Sequence, residues 1–182
     1  MKIALLITGG TFDKEYNELT GELFFKKTHV PEMLTLARAR IPIRVQTLMM
    51  KDSLAMVAPD RERIGAACAK ALERAIVITH GTDTMERTAR FLGPMALAKT
   101  IILTGAMVPY KFGSSDGLFN LGSALSYAQV LPAGVYVAMN GQCLTWDNVR
   151  KNRREGVFEA RKLAGKIPCN VPRNLPRKSL KP

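Results

Sequence analysis

What the 182-residue sequence has little of narrows its class first. It contains three cysteines (Cys68, Cys143, Cys169), two histidines (His29, His80) and one tryptophan, Trp146. The cysteines form no CxxC pair and their odd number leaves one unmatched, which points to a reducing compartment, the cytoplasm, rather than a disulfide scaffold. Neither histidine has neighbours at metal-ligand spacing, so no metal is expected. No apolar run approaches the ~20 residues that span a bilayer, and none is expected to enter a membrane. The N-terminus runs directly into a strand, without the layout of a signal peptide. Acidic residues are also scarce: 27 Lys and Arg face 15 Asp and Glu, a net charge of +12. The excess is uneven, because from position 150 onward eleven Lys and Arg stand against Glu155 and Glu159, leaving +9 there. No aromatic–basic interleaving accompanies that charge, which favours a solvated tail over a nucleic-acid surface.

What is present is a core. Hydrophobic residues make up 47% of a chain of ordinary single-domain length,. The most informative stretch is AIVITHGTDTMERTAR, residues 75–90. Ala75-Ile76-Val77-Ile78 reads as a buried strand, and Met85, Thr88-Ala89 and Leu92 then follow helical spacing. Such a strand–turn–helix places polar side chains at the carboxyl edge of a parallel sheet, where open α/β proteins bind ligands. Asp83 or Thr84 also suits the N-cap of that helix, so the stretch alone leaves a structural reading open. Residues 1–11 repeat the layout: Ile3–Ile7 is a second buried strand, ending in Thr8-Gly9-Gly10-Thr11. Two strand ends bearing Gly-Thr pairs can face one another across a cleft.

The remaining chain supports the same architecture. Residues 12–27 lack a sustained pattern and read as a loop, with a hairpin around Thr20-Gly21-Glu22; a loop this long suits a lid. A short helix is predicted after Pro31, a strand over Ile43–Leu48, a polar turn at Lys51-Asp52-Ser53, and an amphipathic helix over Asp60–Arg74 with Ala71-Leu72 inward. Gly93-Pro94 should end the helix after the central strand. Ile101–Leu103 is the fourth strand, ending in Thr104-Gly105-Ala106-Met107. A helix from Ser115 leads to a fifth strand, Val135–Met139, and a turn at Asn140-Gly141. Five strands alternating with three or four helices specify an α/β fold with a doubly wound parallel sheet. Residues 1–160 form the predicted domain; 161–182, with seven Lys or Arg and four prolines, read as an extended or disordered tail.

These motifs resemble the bacterial-type L-asparaginases. Thr8-Gly9-Gly10-Thr11, His80-Gly81-Thr82-Asp83-Thr84-Met85-Glu86 and Thr104-Gly105-Ala106-Met107 carry the likeness. Ser115–Leu121, Met139-Asn140 and Lys151 extend it, in order, over about residues 1–158. The resemblance implies a flavodoxin-like sheet and the N-terminal asparaginase domain only: the second domain of the longer enzymes has no counterpart, as in a short-chain, single-domain member. It also implies roles. Thr11 is the expected nucleophile on a side-chain amide, assisted by Tyr16 in the lid. Thr82, Asp83 and Lys151 form the expected second cluster, with Asp83 also holding the substrate amino group. Asp52-Ser53 resembles the turn that binds the substrate's α-carboxylate and amino groups, and Ala106 offers its carbonyl. Gly10 and Gly81 complete the substrate-binding set.

The chemistry is consistent. A threonine hydroxyl attacks an amide only after a base takes its proton, and a lysine is a base only when neutral, which burial favours and a neighbouring carboxylate opposes. His80 is expected to hydrogen-bond the turn, and Trp146 to pack. The expected function is hydrolysis of L-asparagine to L-aspartate and ammonia through an acyl-threonine, with no cofactor, in a homodimer or dimer of dimers. The alternatives are another ω-amide (glutamine or an amidated tRNA-linked residue) or a non-catalytic amino-acid-binding module.

Overall fold

The computed structural model describes residues 1–161. In chain order the elements are β1 (Ile3–Gly9), β2 (Lys14–Tyr16), β3 (Leu23–Phe25), α1 (Val30–Leu36), β4 (Ile43–Lys51), α2 (Ala58–Lys70) and β5 (Ala75–Thr79). They continue with α3 (Met85–Leu92), β6 (Thr100–Thr104), α4 (Gly117–Val130), β7 (Gly134–Met139), β8 (Gln142–Thr145), β9 (Val149–Asn152) and β10 (Val157–Ala160). The central sheet has the order β4-β1-β5-β6-β7-β8; its first five strands are parallel and β8 runs antiparallel to β7. Two small hairpins, β2–β3 and β9–β10, stand apart from it.

Alternation along the strands builds two cores. Ile3, Leu5 and Ile7 pack on one face with Val30 and Met33 of α1 and Leu121, Ala124 and Leu125 of α4. Ala4 and Leu6 pack on the other with Ile64 and Cys68 of α2 and Met85, Ala89 and Leu92 of α3. Strands buried on both faces read as continuous apolar runs, which is why Ile3–Ile7 and Ala75–Ile78 were legible. Each fully buried Ile or Leu contributes about 1.5–3 kcal/mol. The fold is the doubly wound α/β sheet that the alternation of elements predicts. Among the described residues, no helix is long and apolar enough to cross a membrane.

Several boundaries differ from expectation, each for a local reason. The strand predicted to stop at Leu48 runs on to Lys51, which carries Asp52-Ser53 out to the carboxyl edge. The helix expected to reach Arg74 stops at Lys70, and Leu72, expected inward, is 97% exposed. Lys99 is the reason: its ammonium hydrogen-bonds the carbonyls of Cys68, Ala69 and Ala71 at 2.6, 3.0 and 2.5 Å, closing the helix end with a cation,. A sixth strand, β8, follows Asn140-Gly141, whose φ angles of 53° and 78° make the tight hairpin turn,. The hairpin expected around Thr20-Gly21-Glu22 is present as β2 and β3, joined where Asn17 Oδ1 accepts the Leu19 and Thr20 N–H groups and Gly21 takes φ 74°. Trp146 packs, as expected, with its ring flat where a Gly93 side chain would be. Beyond Arg161 the predicted tail lies outside the described residues.

One half-buried ion pair joins the sheet edge to the approach to β5. Arg44 Nε and Nη2 donate to Glu73 Oε1 and Oε2 at 2.9 and 2.8 Å, and this grip holds the Glu73 carboxyl down at about 2, against 4.5 ordinarily. A depressed carboxyl adds stability above its unfolded value, lost as pH falls from about 4.5 through about 2,. Glu73→Gln should therefore lower the melting temperature at neutral pH, and the gap from wild type should narrow on acidification below about pH 4. A gap independent of pH, in melts across that range, contradicts the assignment.

Candidate active site

The carboxyl edge of the sheet closes because glycines stand where the strand ends meet. A side chain on Gly9 would strike the Lys51 backbone at 2.4 Å, and one on Gly10 the Gly81 nitrogen at 2.3 Å. Both have positive φ, 91° and 85°, which favours glycine on conformational grounds as well,. On Gly81 a side chain would meet Ser53 Oγ at 2.6 Å, and on Gly105 the His80 carbonyl at 2.4 Å. Thr8 Oγ1 donates to the Thr79 carbonyl at 2.7 Å, tying β1 to β5. The Gly10-Thr11 and Gly81-Thr82 segments are therefore in backbone contact, and the Asp52-Ser53 turn lies against Gly81.

The second threonine is engaged directly. Lys151 Nζ lies 2.7 Å from Thr82 Oγ1 and 2.9 Å from Asp83 Oδ1, with only 7% of the lysine side chain exposed. This lysine comes from β9, outside the sheet. Its own N–H donates to Glu86 Oε2 on α3 at 3.1 Å, while Arg90 Nη2 donates to the same carboxylate at 3.4 Å and to the Val149 carbonyl at 2.9 Å. Arg153 adds bonds to Asp83 Oδ1 at 3.4 Å and to its carbonyl at 3.0 Å.

His80 is fully buried and supports the turn. Its Nδ1 lies 2.8 Å from the Gly81 carbonyl and its Nε2 2.8 Å from Thr88 Oγ1. A carbonyl only accepts, so Nδ1 carries the proton and Nε2 accepts from Thr88. Burial pushes its pKa down to about 4, keeping the ring neutral. Beyond Ala106, which is buried, Asp116 accepts the Met107 and Val108 N–H groups, and Asn120 Nδ2 donates to the Gly105 carbonyl at 2.9 Å.

Near the first threonine the picture is looser. Thr11 is half-buried and opens a short 3-10 turn through Asp13. Asp13 is buried; its Oδ1 accepts from Thr28 Oγ1 and the His29 N–H, and burial outweighs those bonds to push its pKa up to about 6. Asp52 accepts the Leu54 N–H at 2.9 Å and pairs with Lys14 Nζ at 2.5 Å. Ser53 is buried and its Oγ has no hydrogen-bond partner. Tyr16 is 56% exposed, with its hydroxyl on the side of the hairpin turn at Gly21 rather than in the Thr82–Lys151 cluster. The structure thus brings Thr82, Asp83 and Lys151 into contact, places Gly10-Thr11, Gly81 and Asp52-Ser53 around them, and leaves Tyr16 outside. Sequence reasoning gave no role to Lys14, Glu86, Arg90 or Arg153, whose places depend on how two hairpins dock.

Residues 2–162 match the family model described as "Asparaginase, N-terminal". The chain belongs to the asparaginase family. It is similar to the L-asparaginase of Thermococcus kodakarensis, 31% identical over 156 residues that cover 83% of this chain and 48% of that protein. It is 35% identical over 172 residues to a component of the glutamyl-tRNA(Gln) amidotransferase of Methanococcus vannielii, covering 88% of this chain and 38% of that one. Among solved structures, L-asparaginase I of Vibrio cholerae superposes with a TM-score of 0.80 at 25% identity, over 90% of this chain and 52% of the other. The T. kodakarensis enzyme gives 0.79 at 31%, over 88% and 51%. The chain thus spans about half or less of the length of these relatives.

Glu86 is the joint between the asparaginase-family turn and its lysine. Glu86→Ala should speed amide exchange at Lys151 by about tenfold or more, the scale of a bond to a charged acceptor, and leave β5 and β6 protected. Unchanged protection at Lys151 would show that Glu86 does not hold the hairpin.

Proposed function

We propose that this chain hydrolyses the side-chain amide of L-asparagine to L-aspartate and ammonia. The observation that carries the reading is the Lys151–Thr82–Asp83 contact, set against Gly10-Thr11 at the carboxyl edge. In this reading Thr11 Oγ1 attacks the amide carbon, and backbone N–H groups at Gly10-Thr11 and Thr82 stabilise the oxyanion; one such donor is worth about 10²–10³ in rate. Ammonia leaves with the proton taken from the hydroxyl, and water then cleaves the acyl-threonine. Thr82 and Lys151 relay protons in both steps, and Asp83 orients the ammonium and takes the substrate's amino group. The reaction needs no cofactor. Tyr16 assists only if the hairpin brings it inward.

An amide carried on tRNA is the second reading, favoured by the likeness to the tRNA amidotransferase. A cytoplasmic setting accords with Cys68 and Cys143 as free thiols, each pushed up by burial to about 12. A homodimer or dimer of dimers accords with the outward face of α4, where Phe119 and Val130 are 61% and 75% exposed.

The test is ammonia release from asparagine, glutamine and amidated tRNA. Thr11→Val, Thr82→Val and Lys151→Met should each lower asparagine turnover by about 10³-fold or more, as members of a unit. Intact-mass measurement with a slowly hydrolysed asparagine analogue assigns the nucleophile: an adduct on Thr11 in the Thr82→Val protein supports the order given, and one on Thr82 in the Thr11→Val protein reverses it. Sedimentation should show a dimer or larger; a fully active monomer contradicts the assembly.

A further inference from the structure

The polar end of the cleft contains a cation that neither the sequence motifs nor the reaction above employs. Lys14 lies on β2, three residues after Thr11, and its ammonium rests on Asp52 Oδ2 at 2.5 Å. The next residue, Ser53, is 1% exposed with an unpartnered hydroxyl, packed against Gly81 beside Thr82. Ammonium, carboxylate and free hydroxyl therefore border the Gly81-Thr82 segment, which leads directly to Asp83 and its partner Lys151.

The capacity of these groups is not used up. An ammonium has three donors and Lys14 spends one on Asp52; a carboxylate has about four acceptor sites, of which Asp52 spends one on Lys14 and one on the Leu54 N–H,. Burial works to raise the Asp52 pKa, but the bonds from Lys14 and Leu54 outweigh it and hold the carboxyl below its ordinary value, so it is anionic at neutral pH. A free α-amino acid carries its own carboxylate and ammonium on one carbon. With its carboxylate on Lys14 and its ammonium toward the carboxylates of Asp52 and Asp83, it gains charge-assisted bonds at both charges. An amino acid esterified through its carboxyl, as on tRNA, offers only the ammonium half.

We propose that Lys14 anchors the substrate's α-carboxylate and thereby restricts the site to free amino-acid amides. The inference rests on reading the cleft as an amide-hydrolysing site. Its rival is purely mechanical, with Lys14 only fastening the β2–β3 hairpin to the Asp52 turn. The hairpin has a second fastening at its base: Asp13, just before β2, accepts at Oδ1 from Thr28 Oγ1 at 3.0 Å and from the His29 N–H at 2.9 Å, just beyond β3. Removing the Lys14 charge therefore leaves the hairpin held.

Calorimetry with L-aspartate and its α-methyl ester separates these cases, because the two ligands differ only in the α-carboxylate. Wild type should prefer aspartate by roughly 10–100-fold, the scale of a charge-assisted bond, and Lys14→Met should lose most of that preference while binding the ester within about threefold of wild type. Lys14→Arg should recover part of it. In turnover, Lys14→Met should raise KM for asparagine far more than it lowers kcat. Equal weakening of both ligands, or a preference that survives Lys14→Met, overturns the proposal. Ammonia release by wild type tests the underlying reading separately. If wild type releases none yet Lys14 sets the aspartate preference, the reaction assignment fails and the anchor stands; if it releases ammonia and the preference ignores Lys14, the anchor alone fails.

Discussion

A lysine ammonium held almost out of water is the constraint on which the cleft depends. Lys151 keeps 7% of its side chain exposed, and an unpaired cation so placed would cost of the order of several kcal/mol. It is tolerated because Asp83 and Thr82 receive it, so the turn after β5 must present both oxygens at once. That turn is in its place because neutral His80 braces the Gly81 carbonyl and Gly81 itself lies flush against Ser53. The delivery of the lysine is equally constrained: β9 must dock on α3, which Glu86 and Arg90 secure through main-chain bonds to Lys151 and Val149. A glycine, a histidine and two helix charges are thus all explained by one buried ammonium.

The sheet was legible in the sequence because parallel strands buried on both faces leave uninterrupted apolar runs, and Ile3–Ile7 and Ala75–Ile78 are such runs. The two threonine turns were legible because their glycines and hydroxyls follow those runs at once. What could not be read depends on contacts between distant segments. Nothing local marks the end of α2, which Lys99 sets from nearly thirty residues away. The segment holding β9 and β10, VRKNRREGVFEA, is charged enough to pass for a solvated run, and its pairing shows only once Lys151 and Phe158 stand opposite each other. Tyr16 illustrates the converse. Its spacing from Thr11 suggested the cleft, but Lys14–Tyr16 pairs with Leu23–Phe25, and the Tyr16 hydroxyl stands 4.0 Å from where a side chain on Gly21 would begin.

The division of labour between sheet and hairpins explains why glycines and hydroxyls cluster on one and cations on the other. The strand ends of β1 and β5 supply Gly10, Thr11, Gly81 and Thr82, positions where backbones touch and no long side chain fits. The ammonium groups arrive from outside, Lys14 on β2–β3 and Lys151 on β9–β10, and each meets an aspartate at the sheet edge, Asp52 or Asp83. The rigid layer, buried on both faces, fixes where the Gly10-Thr11 and Gly81-Thr82 segments stand. The hairpins bring the ammonium groups of Lys14 and Lys151 to those strand ends. Either hairpin can vary without altering the sheet, because neither belongs to it. The strand ends have no such freedom: a single added methyl at Gly10 meets the Gly81 nitrogen at 2.3 Å, so change at this edge is directed outward to the hairpins.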